Sequence, residues 1–185
     1  EVLNFAQGEL AMVSTFFAYS LLTSLGVPFV PTFLLTVAFA FALGAAVYTA
    51  FLRPAKDPTV LGLIIMTLGV EMILYGVASW YWGADTKRFP SPISDQSIHK
   101  IFGLVISDLD LVTFAVAAGL AGILALFFRA TRLGIAMKAT AQNPNAAELM
   151  GIRTKRIYAF TWGLSAALGA VAGMLMAPVT MLDPP

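Results

Sequence analysis

The sequence predicts an all-α fold, a polytopic transmembrane helical bundle. Three observations predict it. Mean hydropathy is +0.84, with 59% hydrophobic and 11% charged residues, outside the range of ordinary soluble domains. The charged residues gather between long apolar runs, as in a chain that crosses a bilayer repeatedly. Trp80, Tyr81 and Trp82 close one of those runs, where amphipathic rings mark a membrane–water interface.

About five spans are expected. Val2–Leu25 is the first apolar stretch, but Asn4, Gln7 and Glu9 interrupt its opening. The uninterrupted part, Leu10–Leu25, is slightly short of the roughly 20 residues a straight span needs. A broken or partly re-entrant start is therefore expected, which is tolerated only where protein or water covers the backbone. Gly26–Pro31 is a tight turn with two prolines, and Thr32–Leu52 is a span without a charge. Arg53–Thr59 is a short polar loop, and Val60–Tyr81 is a span interrupted by Glu71. Residues 83–110 form the longest connection, with Pro90, Pro92, the single His99 and an apolar patch, Ile101–Ile106. That patch is too short to span and is expected on the surface or over the mouth of the bundle. Leu111–Phe128 and Ile157–Leu182 complete the spans.

Between the last two spans lies a polar island, Arg129–Arg156, holding Arg129, Arg132, Lys138, Arg153, Lys155 and Arg156. Leu133–Ala141 is a candidate short helix. Asn143-Pro144 has the form of a cap followed by a first-turn proline, and Gly151 that of a stop. Asn145 with Glu148 also fits a capping box, so two positions compete for the cap. A helical unit this short, held between two spans, has no core of its own. Its two readings are a surface gripped by something outside the membrane and a basic loop that only sets orientation.

Placing the island in the cytoplasm fixes the rest by alternation. Arg53–Thr59 is then also inside, while Gly26–Pro31 and residues 83–110 are outside. Eight Lys and Arg fall in the inside loops and three (Lys87, Arg88, Lys100) outside, in agreement with the positive-inside bias.

The island also carries a specific resemblance. RLGIAMKATAQNPNAAELMGIRTKRIYAFTWGLSAALGAVAG resembles the main cytoplasmic loop and following helix of inner-membrane permeases from bacterial ABC importers for branched-chain amino acids. Asn4-Phe5-Ala6-Gln7-Gly8-Glu9 resembles that family's opening, with Gln7 where histidine is common. Thr67-Leu68-Gly69 and Trp82-Gly83 with Phe89-Pro90 resemble its middle span and outer loop. The match runs over nearly the whole chain.

The resemblance implies one permease domain over 1–185, with a cytoplasmic coupling loop at 129–156 and a periplasmic loop at 83–110. It implies a multi-pass protein of the bacterial inner membrane, making and breaking no bond itself and needing no cofactor. The implied partners are ABC ATPase subunits, a sister or identical permease subunit, a periplasmic or lipid-anchored solute-binding protein, and membrane lipid. The coupling residues it implies are Asn143, Pro144, Ala146, Ala147, Glu148, Leu149, Gly151 and Ile152. The small alanines would let a partner groove come close, and Leu149, Met150 and Ile152 would anchor. Arg153, Lys155 and Arg156 are expected at the lipid headgroups. The chain begins at Glu1 without methionine and stops soon after a hydrophobic run, so a fragment of a longer permease is expected.

Glu71 is the strongest single anomaly, because an ionisable side chain near mid-span costs a few kcal/mol or more and normally faces protein or water. It is either a lining of the translocation path, meeting a substrate ammonium, or a hydrogen-bonded tie between helices. Asn4, Gln7, Gly8 and Glu9 are further candidates for the path, with Glu9 equally readable as a membrane–water boundary marker. Thr67, Thr161 and Ser165 are expected to satisfy their hydroxyls within their own helices. The last span is rich in small residues. Gly169 and Gly173, like Ala166 and Ala170, share a face that permits close helix approach, either within the chain or between subunits.

Several functions find no support. Net charge is +1, so there is no general field for nucleic acid. Cysteine is absent, which excludes disulfides, thiolate metal sites and cysteine nucleophiles. A lone histidine makes a poor metal site. No G-x-x-x-x-G-K-[ST] sequence occurs to hold ATP phosphates. The competing function is an ATP-independent secondary transporter or channel with Glu71 as its coupling group.

Overall fold

The computed structural model describes residues 4–55, 59–83, 85, 87, 89–90, 98–101 and 104–180. Lys56 and Arg88, two of the loop cations counted above, lie outside the described residues. The chain divides into two compact units, Glu1–Pro90 with Arg153–Pro185, and Ser91–Ile152.

The first unit holds four long helices: α1 (Gln7–Thr23), α2 (Phe29–Val47), α3 (Val60–Trp82) and, from the end of the chain, α7 (Thr154–Thr180). Pro31 falls in the first turn of α2, where a missing N–H costs no helical bond. α2 therefore begins within the expected turn. It ends in a single π-helical turn, Tyr48–Leu52, closed by Arg53 N–H on the Tyr48 carbonyl at 2.8 Å. Thr59 caps α3 by accepting from Gly62 N–H at 3.1 Å. Gly83 ends α3 at φ +80°, a left-handed conformation suited to glycine.

α7 packs against both α1 and α2, and glycine decides how closely. A β-carbon on Gly44 of α2 would lie 2.5 Å from the Trp162 carbonyl oxygen and 2.7 Å from Ala166 Cβ of α7. A β-carbon on Gly163 would likewise lie 2.8 Å from the Phe41 carbonyl oxygen of α2. Gly169 and Gly173 face Gln7 and Thr15 of α1. The small-residue face of the last helix thus serves packing within the chain. Ala166 and Ala170 are fully buried on it.

Among the described residues, four helical segments are long and apolar enough to span a bilayer: Phe29–Leu52, Val60–Trp82, Asp110–Ala130 and Thr154–Pro178. α1, the fifth expected span, has 17 residues, the shortfall that its interrupted opening predicts. Trp80 and Tyr81 are exposed, as interfacial rings should be. Trp82 instead turns inward, stacks on Phe16 and donates from Nε1 to Ser20 Oγ at 2.7 Å.

The second unit contains β1 (Ile98–Ile101), β2 (Leu104–Ser107), α4 (Asp108–Ala130), α5 (Arg132–Gln142) and α6 (Pro144–Leu149). The strands pair antiparallel, His99 opposite Ile106. This hairpin is a small departure from the all-helical expectation. Of the expected Ile101–Ile106 patch, Ile101 ends β1 and Leu104–Ile106 lie in β2, where β-branched Ile and Val favour a pleated surface; residues 102 and 103 lie outside the described residues.

Candidate functional site

The polar island folds as two short helices in series. Thr131 starts the first, accepting from Gly134 N–H at 2.9 Å while its own hydroxyl donates to the Phe127 carbonyl at 2.7 Å. Gly134 allows α5 to turn sharply off α4, because a β-carbon there would sit 2.5 Å from the Phe127 carbonyl oxygen and 2.7 Å from Phe128 Cα. Met137 and Thr140 are buried on the inner face of α5.

Asn143 serves both helices. Its N–H donates to the Ala139 carbonyl, ending α5, and its Oδ1 accepts from Ala146 N–H at 3.0 Å, starting α6. With Pro144 as the first helical residue, this decides between the two possible caps in favour of Asn143. Gly151 stops the helix at φ +83°, its N–H on the Glu148 carbonyl at 2.9 Å. Ile152 N–H then bonds the Ala147 carbonyl at 3.0 Å, completing a glycine-dependent helix end.

The surface this presents differs from the expected one at Ala147. That residue is 4% exposed, since α6 lies against α5, and its methyl is occupied inside the chain. Leu149 and Met150 project instead, 90% and 83% exposed. Asn143, Pro144, Ala146, Glu148 and Gly151 are exposed, and Ile152 is half-buried.

The second candidate group lies at the start of α1. Asn4 Nδ2 donates to Gln7 Oε1 at 3.1 Å, Gln7 Nε2 donates to the Ser165 carbonyl at 2.9 Å, and Ser165 Oγ donates to Gln7 Oε1 at 2.8 Å. The Gln7 amide is thus spent tying α1 to α7. Gly169 makes room for it, since a β-carbon there would stand 2.7 Å from Nε2. Ser165 departs from its expected role by bonding across helices. Thr161 and Thr67 behave as expected, donating to the Ile157 and Ile64 carbonyls at 2.8 and 2.9 Å.

Glu9 and Glu71 are brought together. They line one open cleft of about 260 Å³ with Met72 and Tyr75. Gly8 is exposed, with nothing within 4 Å of its α-carbon's missing substituent. Tyr75 was not singled out by the sequence, although it stands one helical turn from Glu71, the spacing at which side chains share a face. Among the described residues no group of three or more metal-ligating side chains forms.

In chain order, this capped helical turn with two exposed apolar side chains follows α5 and precedes α7. Comparison with known proteins decides the family. The family of permease components of branched-chain amino acid transport systems matches residues 1–185. The chain belongs to that family. It is 34% identical over 183 residues to the probable branched-chain amino acid transport permease protein LivH of Methanocaldococcus jannaschii, covering 94% of this chain and 56% of that protein. It is 28% identical over 186 residues to the high-affinity branched-chain amino acid transport system permease protein LivH of Escherichia coli K12, covering 95% of this chain and 60% of that protein. The corresponding permease protein BraD of Pseudomonas aeruginosa is 29% identical over 189 residues, covering 95% and 61%. The chain therefore spans less than two thirds of the length of these relatives. No solved structure matches it. As a family member it is a permease component, with four helices long and apolar enough to cross a membrane among the described residues.

Proposed function

We propose that this chain is part of the transmembrane subunit of an ATP-driven importer for branched-chain or related hydrophobic amino acids. The observation that carries the reading is the pair Leu149 and Met150, held out on a helix fixed at both ends by Asn143 and Gly151. A short rigid element between two spans transmits force only if something grips it, and two exposed apolar side chains are what a partner grips. The partner is an ABC ATPase subunit on the cytoplasmic side. Nucleotide-driven closure there biases the conformations of the spans. A sister or identical permease subunit and a solute-binding protein complete the assembly.

The Glu9–Glu71 cleft is the best candidate for a polar stretch of the path. Two carboxylates with a tyrosine hydroxyl nearby suit the ammonium group of an amino acid, and the adjoining Met72 suits its side chain. The same cleft is the observation that favours the competing reading, an ATP-independent carrier coupled through Glu71. Uptake into vesicles separates the two. The importer reading expects uptake to require ATP and the ATPase partner, and to persist when ion gradients are collapsed. Gradient-driven uptake without ATP, abolished in Glu71→Gln, would establish the carrier instead.

A further inference from the structure

We propose that Gln7 is a positioning residue: its amide, held by Ser165, sets the rotation of α1 that turns Glu9 toward Glu71. Glu9 sits in the first turn of α1, and no side-chain cap anchors that turn. An anchor is needed there. Glu9 and Glu71 line one cleft, and among the described residues no basic side chain lines it. Two such carboxylates repel when both are charged. The anchor lies on the opposite side of the helix. Residues two apart point about 200° apart on an α-helix, so with Glu9 turned to α3, Gln7 turns to α7. Its amide is engaged there from both ends. Nε2 donates to the Ser165 carbonyl at 2.9 Å, and Oε1 accepts from Ser165 Oγ at 2.8 Å. Asn4 Nδ2 adds a third bond at 3.1 Å, and Gly169 leaves the amide its space.

Other contacts hold α1 in place without fixing its rotation at this end. Ala6 and Leu10 are fully buried, but apolar burial is non-directional. Ser14 and Thr15 are buried too, yet both donate to carbonyls of α1 itself and so tie it to nothing outside. A side-chain amide bonded through its donor and its acceptor is directional. It fixes the angle of the first turn, and that angle decides where Glu9 points. The purpose of the arrangement rests on the transport reading, in which this cleft takes an ammonium group. Its existence rests on the hydrogen bonds alone.

The test uses the full-length protein, with any cysteine elsewhere replaced by serine. The thiol of Glu9→Cys, half-buried in an open cleft, is reacted with a cationic and with a neutral methanethiosulfonate. The ratio of the two rates reads the charge of Glu71, and general loosening of the fold raises both rates together. Glu71→Gln should lower the ratio about 3-fold or more. Gln7→Met, of similar length but without the amide, should lower it as far. Thr161→Ala, which loses a hydroxyl bonded within α7, should leave it unchanged. If Gln7→Met does not accumulate, Ser165→Ala serves in its place and should lower the ratio by a smaller factor. A ratio indifferent to Glu71→Gln, or one that survives loss of the Gln7 amide or of the Ser165 hydroxyl, would overturn the proposal. So would an equal fall in Thr161→Ala. In uptake assays Gln7→Met and Glu9→Gln should each lower the rate, and the double variant should be no slower than Glu9→Gln alone, because residues acting as one unit are not additive. Additive losses would also overturn it. If the wild type shows no ATP-dependent uptake, the transport reading fails separately, and the rate ratio still judges the positioning.

Discussion

Replacing Gly134 with alanine removes no contact and adds one methyl, yet it should unseat α5 from the end of α4. The new β-carbon would stand 2.5 Å from the Phe127 carbonyl oxygen and 2.7 Å from Phe128 Cα. An ordinary carbon–oxygen contact is about 3.3 Å, so the turn must open by about 0.8 Å. Both obstacles are backbone, and no rotamer relieves them. Opening the turn also stretches the Thr131 cap, whose bond is made to Gly134's own N–H. Overpacking of this kind costs about 1 to 3 kcal/mol. Better helix propensity returns up to about 1 kcal/mol in a helix interior and less in a first turn. Hydrogen exchange of the α5 amides should then accelerate by about 5- to 150-fold at the unopposed cost. Gly119→Ala is the control, because nothing lies within 4 Å of its added carbon. It should leave exchange in α4 unchanged or slower. Equal exchange of α5 in wild type and Gly134→Ala would refute the close-approach argument.

Asn143→Ala should weaken α6 by about 1 kcal/mol through loss of the cap, raising exchange at Ala146 about 5-fold, whereas Asn143→Asp should retain protection. Gln7→Leu should lower the thermal midpoint of the purified protein, because Ser165 Oγ loses its acceptor and a partly buried hydroxyl left unsatisfied costs about 1 to 3 kcal/mol. An unchanged midpoint would show that the α1–α7 tie contributes nothing. Gly44→Leu should prevent stable insertion of α2 against α7, since the Trp162 carbonyl oxygen stands 2.5 Å from even a first added carbon. Normal yield and midpoint in that variant would contradict the packing described.

Four of the five expected spans and the existence of a short helix closed by Gly151 were legible because hydropathy, proline and glycine act locally. Asn143-Pro144 and Gly151 announce a short helix whatever surrounds them. The choice between Asn143 and Asn145 was not legible, since both spacings satisfy a cap and only the end of α5 selects one. The burial of Ala147 was not legible, because a six-residue helix has too few turns to show which face is inward. Its neighbour α5 decides that, and Leu149 and Met150 become the exposed pair. Ser165 was discounted for the reason that correctly disposed of Thr161. A hydroxyl in a helix usually bonds back one turn, and only the approach of Gln7 over Gly169 offered a better acceptor. The Glu9–Glu71 pairing joins residues on different helices, which no local pattern reveals.

The central claim is that Leu149 and Met150 meet an ATPase subunit. The most direct measurement places a photo-cross-linking side chain at each position of the full-length permease, in membranes that contain the whole transport system. The account predicts cross-links to the ATPase from both positions, strengthened or weakened by nucleotide, and none from Ile123, an exposed apolar residue within α4. A protein that takes up substrate normally yet forms no ATPase cross-link from either position would contradict it.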